Sequence, residues 1–443
     1  MNENHGRIVG PDYAARRRAV LDRLGNGVLV LPAAPVQHAS RDTEQPYVAD
    51  RELYWLTGLT EPGTIGVLVG GPSPRLEVFA RDRDPEAELW AGPRLGAEEA
   101  GARSGADAAH SLTELEDRLP ELLAGGDRVH YRLGRRDALE RLVRAALTQA
   151  RARGARTGSG PRGVVDPGET LDDLRLIKDG AELAAIRRAC AVTLQGHRAA
   201  AAAIRPGAGE WQIEAALEGA FRAAGATRPG FDTIVGSGVN ACVLHYVENT
   251  DRVPHDGLVL VDAGAEVDFY HGDVTRTWPV SGRFTAPQRA VYDIVQSALA
   301  AGIDAVRPAV EIAEVHDAST RVLVRGLVDL GVLSGDVDGL IEQNAHKPYF
   351  PHQTSHWLGL DVHDPGDYAR DGASRVLEPG MVFTVEPGLY FRPGSDSDVA
   401  ADFAGIGVRI EDDVAATAHG CEVLTAGLPT EADDIEALLE ELA

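Results

Sequence analysis

Short, uninterrupted apolar runs alternate with helix-periodic stretches over the first third of the chain. NGVLVLPAA (26–34), TIGVLVGG (64–71) and RLEVFAR (75–81) are rich in Val and Leu and predict buried strands. YAARRRAVLDRLG and RRDALERLVRAALTQARARGA place apolar residues three and four apart and predict amphipathic helices. The alternation predicts one α/β domain over residues 1–165. RARGARTGSGPRGVVDPGETLDD (151–173), rich in Gly, Pro and Arg, reads as a linker, with a second domain over 175–443.

The later pattern is different. A long helical stretch, AELAAIRRACAVTLQGHRAAAAAI (181–204), is stopped by Arg205-Pro206-Gly207. A second, EWQIEAALEGAFRAAG (210–225), ends on Gly225, the usual C-terminal residue of a helix. Strand-like runs follow at 231–246, 257–263 and 267–280. Thr285 with Gln288 has capping-box spacing and opens QRAVYDIVQSALAAGIDAV, which ends at Arg307-Pro308. A helix at 311–332 leads to strands at 381–390 and 406–415. The order helix, Ile/Val-Arg-Pro, helix, strands thus occurs twice, around 204–206 and 306–308. This predicts an α+β domain built of two related halves.

Composition narrows the function. A chain of 443 residues has room for two or three domains. Its 43 basic and 68 acidic residues leave a formal charge of −25, which excludes the basic footprint that nucleic-acid binding needs. The opening MNENHGRIVGPDYAARRRAV has no apolar core of signal-peptide length, and no run approaches the roughly 18 apolar residues of a membrane span. Cys190, Cys242 and Cys421 are scattered and form no CxxC pair. A soluble, cytoplasmic protein is expected, with no nucleic-acid or membrane partner.

Against that ordinary background four carboxylates stand out. GLVLVDAG ends on Asp262, and Asp273 follows eleven positions later in a second strand-like run. MVFTVEPGLYF places Glu386 at the end of an apolar strand, and GVRIEDDV places Glu411 in another. One strand-end carboxylate is an ordinary turn former. A core cannot hold four without cations, because each buried charge needs a partner. Arg276 and Arg409 lie nearby in sequence and could serve. So could metal: PHQTSHWLGLDVHD (351–364) carries His352, His356 and His363. Four carboxylates and a histidine form an oxygen-rich set that suits Mn, Fe, Co or Zn in a two-metal arrangement rather than a thiolate site. Paired metals lower the pKa of a shared water, so the implied reaction class is hydrolysis at a carbonyl or phosphoryl group.

DAG (262–264), GDVTRTWPVSGRF (272–284), SHWLGLDVHD (355–364), VFTVEPGLYF (382–391) and GVRIEDDV (407–414) resemble the metallopeptidases of pita-bread fold. Within them the likeness is to the proline-specific branch of Xaa-Pro aminopeptidases and Xaa-Pro dipeptidases, over roughly residues 175–430. SRDTEQPYVADRELYWLTGLTEPG (40–63) resembles that branch's smaller N-terminal domain. The resemblance implies a pita-bread catalytic domain with a pseudo-two-fold repeat. It implies two divalent ions per subunit, manganese first, with cobalt or zinc as alternates. Asp262, Asp273, His356, Glu386 and Glu411 would be the ligands and a bridging hydroxide the nucleophile. Glu386 would also handle the water proton, His363 would bond the scissile carbonyl oxygen, and His245 would help proton transfer. His352 would line the subsite beside the proline ring, with Tyr390 and Arg409 supporting the centre. Asp42 and Trp90 resemble residues that reach an active site. His271 does not match a ligand position and reads as a surface residue; His316 and His346 receive no role.

The activity implied is release of the first residue from peptides with proline at position two. The alternative is a dipeptidase restricted to X-Pro dipeptides, which shares all five ligands. A metal-free binding module or amidinohydrolase of the same fold is the remote alternative. Relatives of the branch form dimers and tetramers, so a homodimer or homotetramer is expected by analogy.

Overall fold

The computed structural model describes residues 10–156, 158–394 and 401–442. The first nine residues, part of the stretch in which no leader was read, lie outside it. The chain divides into two compact units, Met1–Leu174 and Arg175–Ala443.

The first unit is built on a six-stranded mixed sheet. Its order is Ala108–Ser111, Arg75–Ala80, Ile65–Val69, Val28–Pro32, Val129–His130, Val164–Val165. The three apolar runs form the antiparallel centre, with Val30 opposite Val67 and Gly66 opposite Val78. Val28, Val67, Phe79, Leu119 and Val143 meet in the core between sheet and helices. The expected linker is corrected. Residues 151–154 finish the helix Asp137–Gly154, Val164–Val165 pair in parallel with Val129–His130, and the helix Gly168–Leu176 begins soon after. Arg132 secures the segment by bonding Asp166 at 2.9 Å and Asp172 at 2.8 Å. Strand pairing and ion pairs at distant positions override the local Gly/Pro signal.

In the second unit the predicted repeat is present. Helix Gly180–Ala203 packs on Glu210–Ala223, and Ala286–Ala305 on Ile312–Asp329. Each pair turns through an extended residue before Arg-Pro, Ile204 (ψ 119°) and Val306 (ψ 105°). Proline disfavours the helical conformation at the arginine before it, Arg205 and Arg307, so each helix has ended by that residue. Capping boxes at Asp179/Glu182 and Thr285/Gln288 start the first helix of each pair.

The strands between and after the helices carry the carboxylates. Ile234–Ser237, Leu258–Ala263 and Val274–Pro279 form one antiparallel sheet, with Asp262 opposite both Ile234 and Thr275. Val382–Val385 pairs with Asp412–Ala416, and Gly388–Tyr390 with Gly407–Arg409. The first strand is shorter than the predicted 231–246. Gly238, at φ +55°, turns the chain into a short 3-10 helix, Gly238–Cys242, so His245 sits on a turn. Only Asp262 lies within a strand. Asp273, Glu386 and Glu411 sit at strand ends or junctions, where the backbone can turn a carboxylate toward a shared point.

Tight backbone contact holds the Asp262–Asp273 hairpin. A Cβ on Gly264 would lie 1.8 Å from the Gly272 carbonyl oxygen, and one on Gly272 would lie 2.9 Å from the Cys190 nitrogen. Gly264→Ala is therefore expected to cost about 3 kcal/mol. Gly219→Ala, where a Cβ meets nothing within 4 Å inside a helix, should be neutral or slightly stabilising. Denaturant titration of the two variants checks the contrast.

His197, fully buried on the long helix, bonds the Ala263 carbonyl at 3.3 Å. Burial, and then the charge of Arg276, push its pKa down to about 4. The unfolded chain takes up that proton near pH 6.5, so His197 costs stability as pH falls from 6.5 toward 4. Its share between pH 7 and pH 5 is about 2 kcal/mol. Denaturation of His197→Gln at both pH values should reveal a pH dependence smaller by that amount.

Candidate metal centre

Asp262, Asp273, His356, Glu386 and Glu411 converge on one cavity of about 400 Å³ in the second unit. His245, His352, His363 and Arg409 line it as well, beside an apolar wall that includes Phe231, Ile234, Leu244, Val247 and Val362. One ligand atom each from Asp273, His356 and Glu411 falls within 4.8 Å of the others.

Sheet register brings the carboxylates together. Because Thr275 opposes Asp262, Asp273 enters the same end of the hairpin two residues earlier. The Glu411 amide donates to the Thr275 carbonyl at 3.0 Å, which joins the second set of strands to the first. Thr275 Oγ1 then donates to Glu411 Oε2 at 2.6 Å and accepts from Arg409 Nε at 3.1 Å. Arg409 also donates to Asp262 Oδ2 through one terminal nitrogen and to the Tyr390 hydroxyl at 3.0 Å through the other. Arg276, the other arginine considered as a counter-ion, faces away. Its fully buried guanidinium bonds the carbonyls of Glu411, Leu428 and Pro429 and the Asp412 carboxylate.

Four carboxylates thus face a single guanidinium, and their protonation reflects it. Burial, opposed by His356, raises Asp273 to about 6. Burial, opposed by His356 and Arg409, raises Glu386 to about 7. Glu411 is held well above the ordinary carboxylate range by burial and by its neighbours Asp273, Glu386 and Asp262. Burial works against charge on His356, yet Asp273 and Glu386 outweigh it and raise the ring to about 9. Asp262 Oδ1 and Asp273 Oδ1 are buried without a hydrogen-bond partner. Convergent anionic oxygens, two of them unpartnered, fit divalent cations, which supply the charge that one arginine cannot.

The histidines are oriented individually. His356 Nδ1 donates to the Trp357 carbonyl at 3.2 Å, which leaves Nε2 toward Asp273 at 3.4 Å and Glu386 at 3.7 Å. This is the tautomer a metal-binding imidazole needs. His352 Nδ1 lies 2.8 Å from the Gln353 carbonyl and must donate to it, so Nε2 accepts the Tyr390 O–H at 2.9 Å. Burial, with the charge of Arg409, lowers His352 to about 3. Tyr390 itself is buried behind His352 and Arg409. His363 stands edge-on to His356, ring centres 4.4 Å apart. Burial and the charges of His356 and His245 pull its pKa down, so it is neutral at pH 7. His245 is exposed at the cavity wall.

Asp42 and Trp90 belong to the first unit. Asp42 is exposed in a loop, and Trp90 is 84% exposed on the helix Pro85–Ala91. His271 corrects the sequence reading. It is 2% exposed rather than on the surface, because its Nδ1 and backbone amide both meet the Gly359 carbonyl, at 3.2 and 3.1 Å. His316 packs on Phe350 and bonds Thr354 Oγ1 at 2.8 Å, behind the cavity.

Sequence reasoning passed over Thr275 and Asp413. Thr275 had a signal, since it follows Asp273 by two residues and so shares its strand face. Asp413 had none. It accepts the Asp273 amide at 2.9 Å and the Cys190 thiol at 3.2 Å, partners 140 and 223 residues away.

This arrangement defines a metallohydrolase, and comparison with known proteins agrees. The chain belongs to metallopeptidase family M24, which residues 184–418 match; residues 13–131 match the aminopeptidase P N-terminal domain. It is 42% identical to the Xaa-Pro aminopeptidase of Escherichia coli (strain K12) over 97% of both chains. Among solved structures, the Pseudomonas aeruginosa aminopeptidase PepP superposes with a TM-score of 0.93 at 43% identity, covering 97% of this chain and 98% of that one. Zinc-substituted E. coli aminopeptidase P in complex with product superposes equally well, at 41% identity and 98% coverage of each. The fold is accordingly an aminopeptidase P-type N-terminal domain followed by a pita-bread catalytic domain.

Thr275→Val keeps the shape of the side chain but deprives both Arg409 Nε and Glu411 Oε2 of their partner. Loss of such a bond behind a ligand typically costs 10–100-fold in metal affinity, and a drop of about that size is expected. Competition for manganese or zinc against a chelator measures it.

Proposed function

We propose that the chain is an Xaa-Pro aminopeptidase, which releases the first residue from peptides with proline at position two. The observation that carries this reading is the convergence of five ligand-type side chains with three histidines and an apolar wall on one cavity. Relatives of that name match the chain along nearly its whole length.

In this reading Asp262, Asp273, His356, Glu386 and Glu411 hold two divalent ions, manganese in the cell. Bound there, the ions supply Lewis acidity and a water of lowered pKa. The chain's own groups do the rest. Glu386 takes the proton of the attacking water at Oε2, the oxygen that lies 3.7 Å from His352 rather than toward His356. His363, neutral at pH 7, donates its N–H to the carbonyl oxygen of the X–Pro bond. It does so again to the oxyanion formed on attack, an electrostatic contribution worth several kcal/mol in typical cases. His245, at the mouth, relays a proton toward the leaving proline nitrogen. That nitrogen carries no N–H of its own in the peptide and must gain a proton to leave.

His352 flanks the proline ring. Because its Nδ1–H is committed to Gln353 and its Nε2 to Tyr390, the ring has no polar atom to offer and presents an apolar edge. Arg409 supports Asp262 and Tyr390 from behind. Asp42 and Trp90, both exposed, keep the substrate-contact role that the resemblance implies. By analogy with the branch, the assembly is a cytoplasmic homodimer or homotetramer. No helix among the described residues is long and apolar enough to cross a membrane.

Metal-free protein reloaded with manganese should cleave an X-Pro-Y-Z peptide after its first residue and lose that activity to a chelator. Cleavage of an X-Pro dipeptide alone would make it a dipeptidase instead. Cleavage of neither, with metal bound, would overturn the proline specificity.

A further inference from the structure

Residues 355–364 lie between the helix Val337–Glu342 and the strand Ala369–Arg370 and form no helix or strand of their own, yet they carry both His356 and His363. The start of this loop is paired with the strand Val382–Val385, through the Trp357–Phe383 bridge and the Leu358 amide on the Val382 carbonyl at 2.9 Å. Residues 359–364 have no strand ladder, so their side chains point where individual hydrogen bonds put them. Those bonds lead to one buried cluster. The Asp364 amide donates to the Trp357 carbonyl at 2.9 Å, the same oxygen that accepts His356 Nδ1. One carbonyl therefore ties the start of the loop, at the ligand-type imidazole, to its end, one residue after His363.

Asp364 in turn is fixed by cations. Its carboxylate accepts from Arg175 at 2.6 Å through Oδ1 and from Lys178 Nζ at 3.0 Å through Oδ2. Oδ1 also accepts the Asp361 amide at 3.2 Å. All three charged side chains are 3% exposed or less. The cluster fills the space inside the loop. A Cβ on Gly359 would lie 2.6 Å from Asp364 Oδ2 and 3.0 Å from Lys178 Cε, so position 359 has room only for glycine. From the other side the Gly359 carbonyl is held by buried His271. The loop is thus closed around an aspartate and a lysine.

We propose that Lys178 and Arg175, acting through Asp364, are positioning residues for His363 and, through the Trp357 carbonyl, for the ring of His356. They touch neither substrate nor ligand atoms. They set the angle at which His363 meets the carbonyl oxygen, so removing them should lower kcat while leaving KM little changed. The effect on turnover rests on the aminopeptidase reading above; the effect on the histidine rings does not.

The test uses the full chain, loaded with manganese for kinetics and metal-free for spectroscopy. Lys178→Met removes the ammonium and keeps the stem. It is expected to lower kcat on an X-Pro-Y-Z peptide roughly 10- to 100-fold at unchanged metal content, with KM within about threefold. Lys178→Arg should restore most of the loss. In a His363→Ala background Lys178→Met should cost little more, because the group it positions is gone.

Histidine-labelled protein, read by proton–carbon NMR, should display shifted ring signals for His363 and His356 in Lys178→Met and unmoved signals for His197. If Lys178→Met does not fold, Lys178→Met/Asp364→Asn removes the pair and leaves buried Arg175 bonded to Asp361 at 2.7 Å, so no buried charge is uncompensated, and it is read the same way. Unmoved His363 and His356 signals overturn the proposal whatever the activity. Full additivity of Lys178→Met with His363→Ala also overturns it. Moved signals in a protein that cleaves no X-Pro peptide would sustain the positioning role and reject the aminopeptidase reading.

Discussion

Four carboxylates turned into one buried cavity, with one guanidinium among them, make a charge problem that much of the second unit is arranged around. Asp262, Asp273, Glu386 and Glu411 come from segments as much as 149 residues apart, and Arg409 reaches only the first of them directly. Left to themselves, Asp273, Glu386 and Glu411 hold protons far more tightly than free carboxylates, because burial penalises the anion before any neighbour acts. The same crowding that is unfavourable for a protein alone is what draws divalent cations. The site's cost and its purpose have one origin.

Positioning follows a common device, in which a polar atom next to the cavity is shared between two groups that must keep a fixed relation. Thr275 Oγ1 joins Arg409 to Glu411. The Tyr390 hydroxyl joins Arg409 to His352. The Trp357 carbonyl joins His356 to the residue after His363. Asp413 joins the Asp273 amide to Cys190 on the long helix. Each shared atom removes freedom from two side chains at once. Such preorganisation is what electrostatic catalysis requires, since donors already in place need not reorganise during reaction.

The first-unit strands, both helix pairs with their Arg-Pro stops, and the ligand-type residues were legible because each is a local signal. Val-rich runs, capping boxes and carboxylates in apolar stretches can be read within a few residues. Two readings failed, and one open choice was decided, where the deciding partner lay far off. The segment 151–173 looked like a linker until Val129–His130 and Arg132 claimed it. His271 looked exposed until the Gly359 carbonyl, 88 residues away, was seen to hold it. Arg276 looked as good a counter-ion as Arg409, yet it bonds carbonyls on the opposite side of its strand.

By itself the sequence determined the inventory: which elements form, that they repeat, and that five ligand-type side chains and several histidines are available. Periodicity and residue chemistry are properties of the chain and survive without its fold. Only the tertiary structure decided which of those groups share a cavity, which tautomer each histidine adopts and which cation answers which anion. Those outcomes depend on distances between residues remote in sequence, and charge interactions in a buried site change steeply with distance and solvent exposure. A one-residue slip in the pairing of Leu258–Ala263 with Val274–Pro279 would turn Asp262 or Asp273 to the opposite face of the sheet. The ligand-type side chains were written in the chain; their meeting point belongs to the register.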